Sequence, residues 1–156
     1  MESNFDIKVK SPSPLVYITK AGEVKISSEL ELANRENLWG VQCGNIFVAL
    51  KNSGFSDWSH AIHQEKVISQ QWKISLPLED DLGDCYVAKS QFKEAIEFLH
   101  IHGVAADDWL DGWYWSCEEQ GRDNVHTFDM LKGCYHTHDR YDSNGFVRFA
   151  LVKLPE

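Results

Sequence analysis

The chain has 156 residues, 43% of them apolar, and 24 acidic side chains against 15 basic ones for a formal net charge of −9. That length suits one domain that buries its own core without metal or disulfide support. The acidic balance and the lack of a basic stripe disfavour phosphate backbones and anionic membranes, so neither a nucleic-acid partner nor membrane insertion is expected.

The opening stretch MESNFDIKVKSPSP has no apolar segment of the kind a secretory signal needs. A cytoplasmic location, or carriage on a particle, is the expectation. Residues 1–14, which hold Pro12 and Pro14, read as an extended lead-in to a single domain over 15–156. Leu15–Thr19 and Val24–Ile26 flank a turn signal at Lys20-Ala21-Gly22-Glu23 and predict a hairpin. Residues 27–37 read as polar and irregular. In LWGVQCGNIFVAL, 38–50, the Gly44-Asn45 pair separates two apolar runs and predicts a second hairpin.

A short helix is expected over 60–72, and Glu79-Asp80-Asp81 reads as a solvated loop. The clear helix runs from Ser90 to Gly103. Phe92, Ala95, Ile96 and Leu99 form its apolar stripe, Ser90 can cap its start, and Gly103 suits the position after its end. Strands follow over Gly112–Cys117, Val125–Met130 and Cys134–His138, with a turn at Leu131–Gly133, a loop over Tyr141–Gly145 and a closing strand over Phe146–Leu154. Strands, then helices, then an antiparallel run make an α+β pattern.

Three motifs occur in order. GFSDW at 54–58, followed by Glu65, GWYWSCEE at 112–119 and GFVRFAL at 145–151 resemble a bacterial family related to the Legionella collagen-like protein C-terminal domain. In that family they read Gly-aromatic-Ser-Asp-Trp…Glu, Gly-Trp-Tyr-Trp-Ser-Ser-Thr-Glu and Tyr-Val-Arg-Pro-Val. The resemblance spans about residues 40–152. It departs after Asp57-Trp58, where Ser59-His60-Ala61-Ile62 replaces the family's Arg-Leu-Pro-Thr. It implies a C-type-lectin-like fold: two helices on antiparallel sheet, with a long looped region over roughly 118–144 carrying ligand contacts. Sugar binders, protein binders, phage receptor-binding proteins and a formylglycine-generating enzyme share that fold, so fold alone does not set function.

Candidate chemistry is sparse. Cys43, Cys85, Cys117 and Cys134 are widely spaced, never form CxxC, and read as reduced thiols in the core or in strands. Cys134, His136 and His138 alternate onto one face of a strand. All three span too far for one ion at about 3.3 Å per residue. Two could share an ion with ligands from elsewhere, but exposed strand histidines are the simpler reading, and no metal or other cofactor is assigned. The Glu-Pro-Asn, Gln-Pro-Asp and Trp-Asn-Asp tripeptides of calcium-dependent lectins do not occur.

A thiol pair of Cys117 and Cys134, like that of the enzyme sharing the fold, is weighed against inert cysteine; no residue is assigned catalysis. Trp58, Trp113, Trp115 and Arg148 read as core, with Arg148 paired to Glu118, Glu119 or Asp129 because a buried charge needs compensation. Trp109, His136, His138, Arg140 and Tyr141 form the expected ligand surface; for Trp109 the alternative is a plug beneath the loop. The expected function is non-enzymatic, calcium-independent binding or display of a protein or glycan, with homo-oligomers allowed. The alternatives are a structural subunit of a bacterial or phage assembly, or an enzyme using cysteine or metal.

Overall fold

A computed structural model describes residues 7–155. Strand β1 (Lys8–Ile18) and strand β2 (Val24–Glu31) form the first expected hairpin. Gly22 takes φ +83° in its turn, and a Cβ there would meet the Ile68 carbonyl at 2.8 Å. The lead-in expected over 1–14 is strand from Lys8 onward, since Lys8 already pairs with Glu31 and Lys10 with Glu29. The ladder slips between Lys10 and Leu15, where Pro12 and Pro14 have no amide hydrogen to donate. Residues 1–6 lie outside the described residues. The stretch expected to be irregular continues β2 to Glu31 and then forms a 3-10 helix, Leu32–Asn37. Strands β3 (Leu38–Cys43) and β4 (Ile46–Ala49) turn at Gly44-Asn45, with Gly44 at φ +60°.

Strand β5 (Phe55–Ser56) precedes helix α1 (Trp58–Ile62), strand β6 (Lys66–Val67) and strand β7 (Trp72–Ser75). The helix expected over 60–72 is thus confined to five residues. The Asp57 carboxylate caps it by accepting from the His60 amide at 2.7 Å. From Trp72 the period is two, and the segment pairs as strand.

Glu79-Asp80-Asp81 is not a loop. It is the first turn of helix α2 (Glu79–Val87), where carboxylates meet the positive end of the helix dipole. Gly83 lies inside α2 because the Tyr135 hydroxyl occupies the space a Cβ would take. Helix α3 (Lys89–Ile101) buries its stripe as expected, but its start is capped by no side chain and begins one residue before Ser90. Gly103, at φ +78°, follows the C-cap His102.

Strands β8 (Trp113–Gln120), β9 (Asn124–Asp129) and β10 (Cys134–Asp139) form an antiparallel meander. The closing strand is two pieces, β11 (Gly145–Phe146) and β12 (Ala150–Lys153), in different sheets. Residues 147–149 cross between them, so this segment is apolar on both sides and Arg148 sits at the crossing.

The seven-stranded sheet runs β2-β1-β3-β4-β12-β7-β6 and the five-stranded sheet β10-β9-β8-β11-β5. Among the described residues every strand pairing is antiparallel except β11 with β8, and with few helices the fold is α+β. Leu15, Tyr17, Val41 and Val48 meet Phe92, Ile96 and Leu99 of α3 in the main core. A smaller core holds Trp58, Ala61, Leu76, Trp115, Val125 and Val147.

Candidate functional site

Register places the alternating residues of the meander. Cys134 lies opposite Asp129, His136 opposite Thr127 and His138 opposite Val125. Trp113 and Trp115 lie opposite the same Asp129 and Thr127 from the other side. One face of the sheet therefore carries Trp113, Trp115, Cys134, His136 and His138. Tyr114 and Phe128 point the other way, into the main core.

On the first face the imidazole of His138 lies flat on the indole of Trp113, with ring centroids 3.6 Å apart and planes within 4°. Its Nδ1 is 2.9 Å from the Thr127 hydroxyl. Burial lowers the pKa of His138 below the usual histidine value, against the opposing pull of Asp142. Trp113 meets Trp115 edge to face at 4.9 Å. Trp115 is fully buried and donates its Nε1–H to the Ser56 carbonyl at 2.7 Å. His136 is exposed, and its Nε2 lies 3.1 Å from the Cys134 Sγ.

Arg140 extends this row. Its guanidinium sits 5.3 Å from the Trp58 ring centroid and bonds Glu119 at 3.2 Å. Trp58 is buried and donates to the Ser116 carbonyl at 2.8 Å. Tyr141 occupies the turn that follows and is 72% exposed. His136, His138, Arg140 and Tyr141 are thus brought together along one strand and its turn.

Trp109 is elsewhere. It is buried in the main core, edge-on to Tyr114 at 4.8 Å and tilted on Phe92 at 5.9 Å, and donates to the Cys43 Sγ at 3.4 Å. The structure therefore places it beneath the loop, not on the ligand surface. Loop composition concealed this, because the ring is received by Phe92 of α3 and Cys43 of β3, elements that the loop's own sequence does not specify.

Arg148 is buried at 1% exposure but is not ion-paired to Glu118, Glu119 or Asp129. Glu118 accepts from the Glu79 amide, Glu119 binds Arg140, and Asp129 caps the 131–133 turn. The guanidinium instead donates to the carbonyls of Ala49, Leu50, Asp107 and Asp108 and to the Asn52 Oδ1. Its flat faces lie near Phe92 and Trp109, at 5.1 and 4.9 Å. Carbonyl dipoles and ring faces compensate the charge in place of a carboxylate. Arg148 thereby joins the end of β4 to the 107–108 loop.

The thiols separate. Cys117 donates its amide to the Pro77 carbonyl, four residues along β8 from Trp113, whereas Cys134 lies across β9 from Trp113. They do not form a pair, and burial pushes the Cys117 thiol up. Cys43 and Cys85, both buried, each direct a thiol at the other's carbonyl, at 3.7 and 3.3 Å.

Around the β10 edge of the same sheet, Glu79, Gln120, His126, Tyr135, His136 and Thr137 line a shallow cleft of about 410 Å³. His126 Nδ1 is 3.1 Å from Glu79, whose carboxyl is pushed up by burial. Sequence reading missed Glu79 and His126 as neighbours, because the α2 pattern is too short to recognise and the pair is remote in sequence. A second cleft, of about 490 Å³, lies between the β1–β2 turn and β6, with Trp39, Ile68 and Ile74 in its wall. It contains none of the residues expected to bind ligand. Among the described residues no cluster of three or more potential ligands can hold a metal ion, and no helix is long and apolar enough to cross a membrane.

No family model, curated protein or solved structure matches this chain.

Proposed function

We propose that this protein is a calcium-independent binding or display module of C-type-lectin-like architecture, taking a protein or glycan ligand along β10 and the turn after it. Several features support the lectin-like reading. Two consecutive helices lie between β4 and the Trp-rich β8, and β12 returns to pair with β4. Residues 118–144, expected as a long looped region, are instead the end of β8, all of β9 and β10 and the short turns between them.

The observation that carries the binding reading is the half-buried His138–Trp113 stack, followed three residues along the chain by the exposed Tyr141. Stacked rings are already ordered, so they present contact area at low entropic cost. Arg140, held on Trp58, adds a directed donor at the same rim. The separation of Cys117 from Cys134 argues against an enzyme built on that thiol pair.

Glycan arrays and bacterial surface-protein arrays probed with the purified chain test this reading. Once a ligand is found, Tyr141→Ala and Arg140→Gln are each expected to weaken binding roughly tenfold or more, as central contacts do. Unchanged affinity in both variants would remove β10 and its turn as the binding surface.

A further inference from the structure

Strand β10 is an edge of the five-stranded sheet. Sheet edges expose unpaired amides and carbonyls, and proteins commonly guard them with lysine, proline or a bulge. Between Cys134 and Asp139 the sequence CYHTHD has none of these, and the β9–β10 register runs without a break. Tyr135, His136 and Thr137 are all exposed.

On this edge, the Cys134 Sγ and the His136 Nε2 converge to 3.1 Å. A tetrahedral zinc ion with bonds of about 2.3 Å to sulfur and 2.0–2.1 Å to nitrogen sets those two atoms roughly 3.6 Å apart. A side-chain adjustment of about half an ångström would therefore admit the ion. Two ligands do not make a structural site, and the described residues offer no third beside them.

A second copy supplies what is missing. Antiparallel self-pairing about a two-fold axis at Tyr135 sets Cys134 of each copy opposite His136 of the other. Directly opposed residues on one face have Cβ atoms about 4.5–5.5 Å apart. Residues two apart on the same strand are separated by about 6.6 Å at 3.3 Å each. Two thiolates and two imidazoles then form a compact quadrilateral on one face, the Cys2His2 set of structural zinc.

We propose that Cys134 and His136 are half of a zinc site that is completed by the same two residues of a second copy of this chain. On binding, each thiol gives up its proton to solvent, and two thiolates balance the charge of the ion. Backbone overlap in this register is short, because Gly133 bends the chain away with φ +70° just before the strand. Each copy also carries a net charge of −9, so the copies repel. Both facts make the metal, and not the ladder, the element that holds the pair, and association is metal-dependent.

The test uses the full chain under reducing conditions, stripped with chelator and titrated with zinc chloride. Mass is followed by light scattering and bound metal by elemental analysis. The expected result is a monomer without metal and a dimer with one zinc per two chains. Cobalt(II) in place of zinc should give strong tetrahedral visible bands and a thiolate charge-transfer band. Cys134→Ser and His136→Gln should each abolish the dimer while leaving the circular dichroism of the fold unchanged.

The proposal is overturned if the chain stays monomeric with zinc, or if zinc binds one per chain without association. It is also overturned if a dimer persists in both variants or after chelation. The dimer is read by mass and bound zinc and ligand binding through Tyr141 by affinity, so failure of the one is distinguished from failure of the other.

Discussion

The imidazole of His138 and the indole of Trp113 lie parallel, 3.6 Å between ring centroids, on adjacent sides of β9. Neither ring is placed by its own strand alone. Each depends on the register of the strand between them.

This stack makes a pH dependence. Burial lowers the His138 pKa below its usual value of 6.5, so the folded state favours the neutral ring. The unfolded chain therefore takes up the proton first as the pH falls. The stabilising contribution is fully present above about pH 6.5 and is lost as the pH drops through the folded pKa. Melting temperatures measured between about pH 5 and 7.5 should fall on the acid side. His138→Gln should flatten that slope, and proton NMR titration of the ring should give a midpoint below 6.5. A midpoint above 6.5 would contradict the partial burial of His138 on Trp113.

Arg148→Met should cost at least about 3 kcal/mol in denaturant unfolding. Four backbone carbonyls lose a charged donor at once, and a buried acceptor left unmade costs about 1–3 kcal/mol. Arg148→Lys should recover only part, because an ammonium cannot reproduce the planar fork. Glu119→Gln, by contrast, removes a half-exposed partner of Arg140 and should change stability by less than about 1 kcal/mol.

Trp109→Ala should destabilise the fold by about 3–5 kcal/mol, the usual cost of deleting a large buried ring. Ligand affinity of the remaining folded protein should not change. A variant that kept its stability but lost binding would show that the ring is available to ligand.

Gly145→Ala tests the close approach of β11 to the tryptophans. A Cβ at this position meets the Trp115 Nε1 and the Trp113 ring. Both indoles are held, one by a hydrogen bond to Ser56 and one by the His138 stack. Overpacking of this kind costs about 1–3 kcal/mol, and a shift in tryptophan fluorescence should accompany the loss of stability.

Local pattern made several elements legible. Gly44-Asn45 between apolar runs specifies a hairpin because few residues tolerate that turn, and the stripe Phe92, Ala95, Ile96 and Leu99 specifies α3 because only a helix brings those positions together. Strict alternation through Trp113–Trp115 and Cys134–His138 assigned each side chain to its face of the meander. Helix α2 was not legible. Nine residues with an internal glycine carry a weak helical signal, and Gly83 is explained only by Tyr135, which arrives from another strand.

The sequence by itself determined which residues alternate, which stretches turn, and that His136, His138, Arg140 and Tyr141 would lie close together, because all of this follows from spacing along one segment. Only the tertiary structure decided that Trp109 is core, that Arg148 is held by carbonyls instead of a carboxylate, and that the last apolar run crosses between two sheets. The hydrogen bonds of Arg148 to Ala49 and Asp108 and of Trp109 to Cys43 span 99, 40 and 66 residues. The chain chooses among such distant partners by packing, and no local pattern records the choice.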